Sequence, residues 1–347
     1  MTSDEALDQA LDVLAGYGRF LSNGFTSHAP MVAEALCALG RPDAVLPWLE
    51  SYRTGLLPRQ TAHTPISHAT WRDALGNIGR YADWMALFQA ELAGAPWREV
   101  LARWLPRLAP AACADATHGL IRTAHAARAL ARRETPQRLS ELGDALGAWA
   151  TTYQTLPTTV ERAARSYAPA EAVAALPLQP AGERSFRGSI VSALGGLTGF
   201  APFAPVIDWI DPDCDLSQLT LAFARVYLGN ARDPLTSITF VHGVTSAAAL
   251  RSLVPHLEAA AGRELVRYAW QAGAALYASL GTAPPFAGEL AEDGIERVAL
   301  IDAAIFHGDD HAIKFTEACL AEYALLPDPV FPHAAQHALG ALPVSRR

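Results

Sequence analysis

The chain has 347 residues, 51% of them apolar, which suffices for one large or two ordinary domains around a substantial core. Its net charge is -8 and its 27 basic side chains are dispersed, so the electrostatic footprint of a nucleic-acid binder is missing and a small molecule is the expected partner. The four cysteines (Cys37, Cys113, Cys214, Cys319) form no C-x-x-C pair for zinc or redox work and read as small buried apolar residues.

The opening residues Met1-Thr2-Ser3-Asp4-Glu5 are acidic, with no basic region leading into an apolar run. No later stretch approaches the roughly 20 apolar residues that span a bilayer, so a cytoplasmic protein without membrane contact is expected. Ala6, Leu7, Leu11, Leu14 and Ala15 mark one face of a first helix, with Asp4 and Glu5 near the end where the helix dipole favours acids. Ser27 reads as the N-cap of a helix over 28–39 that Gly40 stops. Helical patterns continue over 43–52, 81–93, 97–108, 116–133 and 137–153. Proline and glycine then concentrate from Pro169 to Pro205, which reads as a loop-rich crossover over 169–205. Beyond it the pattern predicts helices over 216–228, 236–256, 263–280, 294–306, 310–324 and 331–342. Strict apolar/polar alternation is absent, which leaves little room for a sheet. The expectation is an all-α protein, a single large helical assembly over 1–347 with a loop-rich middle segment.

No glycine-rich phosphate loop follows a strand. Gly16-Tyr17-Gly18 comes nearest, but it follows a helix and lacks the third glycine, so no flavin or nicotinamide domain of the Rossmann type is supported and no cofactor-binding residue is assigned.

Eleven histidines are the main store of chemistry. A single histidine on a helix is by default a core or surface residue. Three local spacings nevertheless suit a metal: His333/His337 and His307/His311 at i,i+4, and His118/His125 two turns apart on one face. The densest polar cluster is His307-Gly308-Asp309-Asp310-His311-Ala312-Ile313-Lys314. If Asp309 or Asp310 caps the helix, His311 and Lys314 project from the same face. Lys314 is also the only lysine among the 27 basic residues. A lysine buried beside a metal is held neutral and can add carbon dioxide to become a carbamate, an oxygen ligand of long reach. His307-Gly308-Asp309 also spells the H-x-D half of a two-histidine, one-carboxylate iron triad, although that triad usually sits on barrel strands. H-E-x-x-H, H-x-H and G-x-S-x-G are all absent, which argues against zincins, two-metal amidohydrolases and nucleophile-elbow hydrolases.

Four blocks carry a family resemblance: Ser27-His28-Ala29-Pro30-Met31, His118-Gly119-Leu120-Ile121-Arg122, His242-Gly243-Val244-Thr245-Ser246-Ala247 and Asp310-His311-Ala312-Ile313-Lys314-Phe315-Thr316. In that order they resemble the histidine-bearing blocks of the questin oxidase-like proteins. The resemblance implies an oxygenase that oxidises and opens a ring of polycyclic aromatic polyketides such as anthraquinones, with a small aromatic substrate and dioxygen as partners. It also implies a mononuclear non-haem Fe(II) bound by His28, His118, His242, His311 and a carbamylated Lys314. A Baeyer-Villiger, NADPH-dependent activity is the family's alternative label, but without a flavin or nucleotide site metal-based oxygen activation is favoured. Asp310 is the candidate for orienting an imidazole N–H, and Arg122, one turn after His118, is a second supporting group. The reading from another class is a non-catalytic helical protein that binds an apolar small molecule and uses these histidines structurally.

Overall fold

The computed structural model describes residues 1–159, 166–291 and 295–345. Within them the backbone is mostly helical, and the expected all-α assembly is what forms. The N-terminal part comprises α1 (Ser3–Leu14), β1 (Tyr17–Leu21), α2 (Ala29–Ala38), α3 (Pro42–Tyr52), β2 (Leu56–Pro58), α4 (Trp71–Ala74) and α5 (Tyr81–Gly94). Next come α6 (Trp97–Leu108), α7 (His118–Arg132), α8 (Pro136–Thr151), α9 (Pro169–Ala175) and α10 (Ile190–Gly195). The C-terminal part holds α11 (Leu216–Asn230), α12 (Pro234–Leu253), α13 (Ala259–Leu280), α14 (Arg297–His307), α15 (Asp310–Leu325) and α16 (Val330–Ala341).

Local chemistry explains most of the boundaries. Thr2 and Glu5 close a reciprocal capping box on α1, and Thr135 and Asp233 cap α8 and α12 just ahead of a proline at the first helical position. Gly40 takes φ +76° as expected, and Arg41 N–H returns to Leu36 O to close the end of α2.

Three expectations need correction. His28, not Ser27, occupies the N-cap position of α2 and its side chain makes no cap bond, while Ser27 Oγ accepts from Ala29 N–H at a long 3.4 Å. The helix expected over 116–133 begins only at His118, because Asp115, Ala116 and Thr117 all adopt positive φ (51°, 55° and 72°) and make a left-handed turn ahead of it. A sheet does exist: β1 and β2 pair antiparallel, although their register is irregular and the pair spans few residues. The segment 169–205 is a crossover built of short pieces, since α9, α10 and the 3-10 turns Gly196–Gly199 and Ala201–Asp208 lie in or overlap it. The helix expected over 294–306 is α14; residue 294 lies outside the described residues.

α12 is central. It packs against α11, α13, α7 and α15, and it is buried on every side from Thr239 to Ala247. α7 lies beside it, with α8 and α2 on its other flanks, and α2 also touches α15. One apolar cluster runs from Ala6 on α1 to Leu342 after α16, so residues from both sides of the crossover share a core. Among the described residues no single helix is long and apolar enough to cross a membrane.

Candidate metal centre

Four histidines that lie far apart in the sequence meet where α2, α7, α12 and α15 converge. His28 stands at the head of α2, His118 is the first residue of α7, His242 lies midway along α12, and His311 lies in the first turn of α15. One ring nitrogen from each falls within 4.8 Å of the other three. His28 Nε2 is 2.6 Å from His118 Nε2, which is 3.2 Å from His242 Nε2. Two nitrogens bound about 2.1 Å from one ion at ordinary ligand angles would stand roughly 3.0–3.4 Å apart.

Hydrogen bonding fixes which nitrogen faces inward. His118 Nδ1 donates to the Asp115 carbonyl and His242 Nδ1 donates to the Ile238 carbonyl at 2.7 Å. A carbonyl cannot donate, so in the neutral rings both Nδ1 atoms carry the proton and both Nε2 lone pairs are bare. Burial, together with the neighbouring charges, holds His118 down to about 4 and His242 well below the usual histidine range, so both rings are neutral near pH 7. Bare lone pairs facing each other at 3.2 Å repel unless a cation lies among them. The group can therefore hold a metal ion.

Asp310 serves the other two rings. Its Oδ1 lies 2.7 Å from His311 Nδ1 and 3.1 Å from His28 Nδ1, the latter off the line of a hydrogen bond. Burial lowers His28 well below its ordinary value against the pull of Asp310. For His311 burial acts in the same direction, but Asp310 and Asp309 outweigh it and lift the ring to about 9. Tyr52 anchors this carboxylate: the His28 backbone N–H donates to its hydroxyl at 2.9 Å, and that hydroxyl bonds Asp310. Trp48, one turn earlier on α3, stacks on Tyr52 and donates to Gly308 O at 2.8 Å, tying α3 to the α14–α15 turn. That turn needs glycine, since Gly308 sits at φ +77°.

The expected positions divide cleanly. Asp309 does cap α15, accepting from the N–H groups of His311 and Ala312, so it is spent on the helix and not on an H-x-D triad. His307 is buried with neither ring nitrogen partnered, and it belongs to no metal-binding group among the described residues. The other spacings also separate: His125 bonds Glu34, His333 bonds Ala291 O, and His337 bonds Tyr227. Arg122 is held bidentately by Glu141 at 2.6 and 2.8 Å, which orients its guanidinium toward α8. Lys314, one turn after His311, is 3% exposed and makes no hydrogen bond or ion pair among the described residues. Burial pushes its amine down to about 8 against the attraction of Asp310 and Asp309.

Sequence reasoning missed Tyr52 and Asp115. Tyr52 gave no signal beyond an aromatic at i,i+4 from Trp48. Asp115 precedes a helix without the glycine that normally marks a left-handed turn; Arg19 and Thr26 hold its carboxylate and so fix the carbonyl that aims His118. A close approach also seats α7, because a Cβ on Gly119 would meet the Trp149 ring at 2.5 Å. No protein-family model matches the chain, and no curated protein matches it significantly.

Proposed function

We propose that this protein is a non-haem iron oxygenase whose iron(II) is held by His28, His118, His242 and His311, with Lys314 as a carbamate ligand. The observation that carries the reading is the convergence of four imidazoles from four helices, two of which, His118 and His242, turn bare Nε2 lone pairs toward each other. Iron bound there would supply the activation of dioxygen. An aromatic molecule is the substrate, and the four-block resemblance points to an anthraquinone-like polyketide whose ring is opened.

The chain's own groups do the rest. The Asp115 and Ile238 carbonyls fix the tautomers of His118 and His242, and the Asp310–Tyr52 pair restrains His28 and His311. The surrounding core keeps bulk water from the ligands. Lys314 would become a carbamate when its neutral amine attacks the carbon of carbon dioxide: an N–C bond forms, one C=O π pair moves onto oxygen, and the nitrogen's proton passes to solvent, so that an anionic oxygen could hold the cation. Four neutral rings and one carbamate leave an iron(II) site with about +1 net charge, which favours a substrate phenolate.

Metal analysis after anaerobic reconstitution with iron(II) tests this. One ion per chain is expected, reduced by alanine at any of the four histidines and accompanied by oxygen uptake with a hydroxyanthraquinone. A chain that retains no first-row metal would fail the reading. Loss of the ion in a His333 or His337 variant, with the four converging histidines dispensable, would also refute it. An ion that stays bound without oxygen uptake on any aromatic substrate would favour the non-catalytic binder.

A further inference from the structure

A groove of about 190 Å³ opens between α7, α12 and α15, and Lys314 lies in its wall. Each helix lines it with residues that follow its metal-site histidine. Ile121, His125 and Arg128 succeed His118; Thr245, Ala249 and Ser252 succeed His242; and Lys314, Ala318 and Ala321 succeed His311. These are steps of three and four residues, so each line is one face of its helix. The groove thus starts beside the histidine cluster and runs outward. None of the four histidines is in the wall of this groove or of a larger cavity of about 250 Å³ between α1 and α8, but Lys314 lines the groove, whereas Arg59, Arg122, Glu141 and Asp144 line the cavity.

The lining states what fits. Ala124, Ala248, Ala249, Ala318 and Ala321 make smooth walls for a flat apolar ring. The charged residues that line the rim cancel in pairs: Arg128 bonds Glu317 at 2.7 Å and Arg251 bonds Glu322 at 2.6 Å. The rim therefore offers no net charge to an ionic ligand. Lys314 marks the inner end of the groove, where a polar group of the ligand would face the metal side. An apolar cavity of roughly 150 Å³ holds one benzene, so this groove accommodates one substituted ring or two fused rings.

Resting on the metal reading above, we propose that this groove is the substrate site. It admits a one- or two-ring apolar portion of the substrate, hydroxyl or carbonyl end first toward Lys314, and the small side chain at position 248 together with Ile121 sets the size limit. A larger polycycle leaves its remaining rings at the rim.

Titration of the iron(II)-loaded protein with 1-naphthol, without oxygen, tests the proposal. Ala248→Phe should weaken naphthol binding at least tenfold with iron content unchanged, and Ala321→Phe at the more exposed end should weaken it less. Gln137→Trp, which fills the cavity between α1 and α8, should alter neither quantity. Ile121→Ala should improve the affinity of a three-ring phenol relative to naphthol, a change of selectivity that a structural role would not produce. Undiminished naphthol binding by Ala248→Phe, or its loss in Gln137→Trp, would overturn the groove. Naphthol binding to a chain that takes up no iron, still sensitive to Ala248→Phe, would sink the metal reading and keep the groove.

Discussion

Lys314 is the one lysine of the chain, so its chemistry can be followed without interference. Lys314→Arg keeps length and charge, but a guanidinium stays protonated and cannot add carbon dioxide. We expect that variant to lose iron and turnover, while Lys314→Glu, which supplies an anionic oxygen at shorter reach, retains part of the iron. A purely structural lysine would give the reverse order. Labelled bicarbonate should add one carbamate carbon resonance to the unaltered protein, absent from both variants, and an Arg variant with normal iron and turnover would refute the carbamate. Asp310 acts through others, since it touches His28 and His311 and is itself held by Tyr52. Asp310→Asn should weaken iron binding by about 10–100-fold, the usual effect of losing a group that orients a ligand. Competition with a chelator measures this, and affinity unchanged within twofold would show that the two rings need no such restraint.

Turns set the aim of the site more than helices do. Asp115, Ala116 and Thr117 keep a left-handed conformation that costs an L-residue about 1–2 kcal/mol each, and they place the carbonyl that orients His118. Ala116→Gly would relieve that strain but lose a buried methyl and gain unfolded-state freedom, so we expect a stability within about 1 kcal/mol of the original and normal iron content. Ala116→Val should cost about 2 kcal/mol or more and weaken iron binding, because a branched side chain resists this region. Denaturant titration of both variants checks the pair, and a valine as well tolerated as glycine would remove the argument. This turn also shows where the sequence is legible. Helices with strong periodicity, such as α7, α8 and α12, were readable to within a few residues; caps were less so, since Asp309 was one of two candidates for α15 and Ser27 stands one residue ahead of the N-cap of α2. The left-handed turn was not, because alanine and threonine give no local sign of positive φ; the Arg19–Asp115–Thr26 contacts stabilise it from a distance. The hairpin of β1 and β2 escaped for a related reason: their pairing joins residues on either side of α2 and α3, and neither strand is long enough to show alternation.

At the scale of the molecule, local spacing alone misleads. His333 and His337 go to different partners and His307 stays outside the group that His311 joins, whereas His28, His118, His242 and His311 converge from four helices. Long-range convergence has no period, so only the order of four blocks pointed to it. What keeps those helices in register is a buried ionic knot. Glu34 of α2, 2% exposed, receives His125 and Arg128 of α7, with Arg132 at 3.9 Å, and Arg128 continues to Glu317 of α15. Burial alone would raise the Glu34 carboxyl, but Arg128 and His125 outweigh it and hold the group near 2 instead of its ordinary 4.5. Between those two values the unfolded chain binds the proton and the folded chain does not. The stabilisation is therefore fully present above pH 4.5 and is lost as pH falls through about 2. Glu34→Gln should cost about 3 kcal/mol at pH 7, where it leaves Arg128 with Glu317 alone. The gap between the variant and the original protein should then close on acidification from about pH 4.5 toward 2. Urea unfolding curves at a series of pH values measure it. A gap that stayed constant down to pH 2 would mean that Glu34 stabilises by shape and not by charge, and the ionic knot would no longer explain how α2, α7 and α15 hold three of the four histidines together.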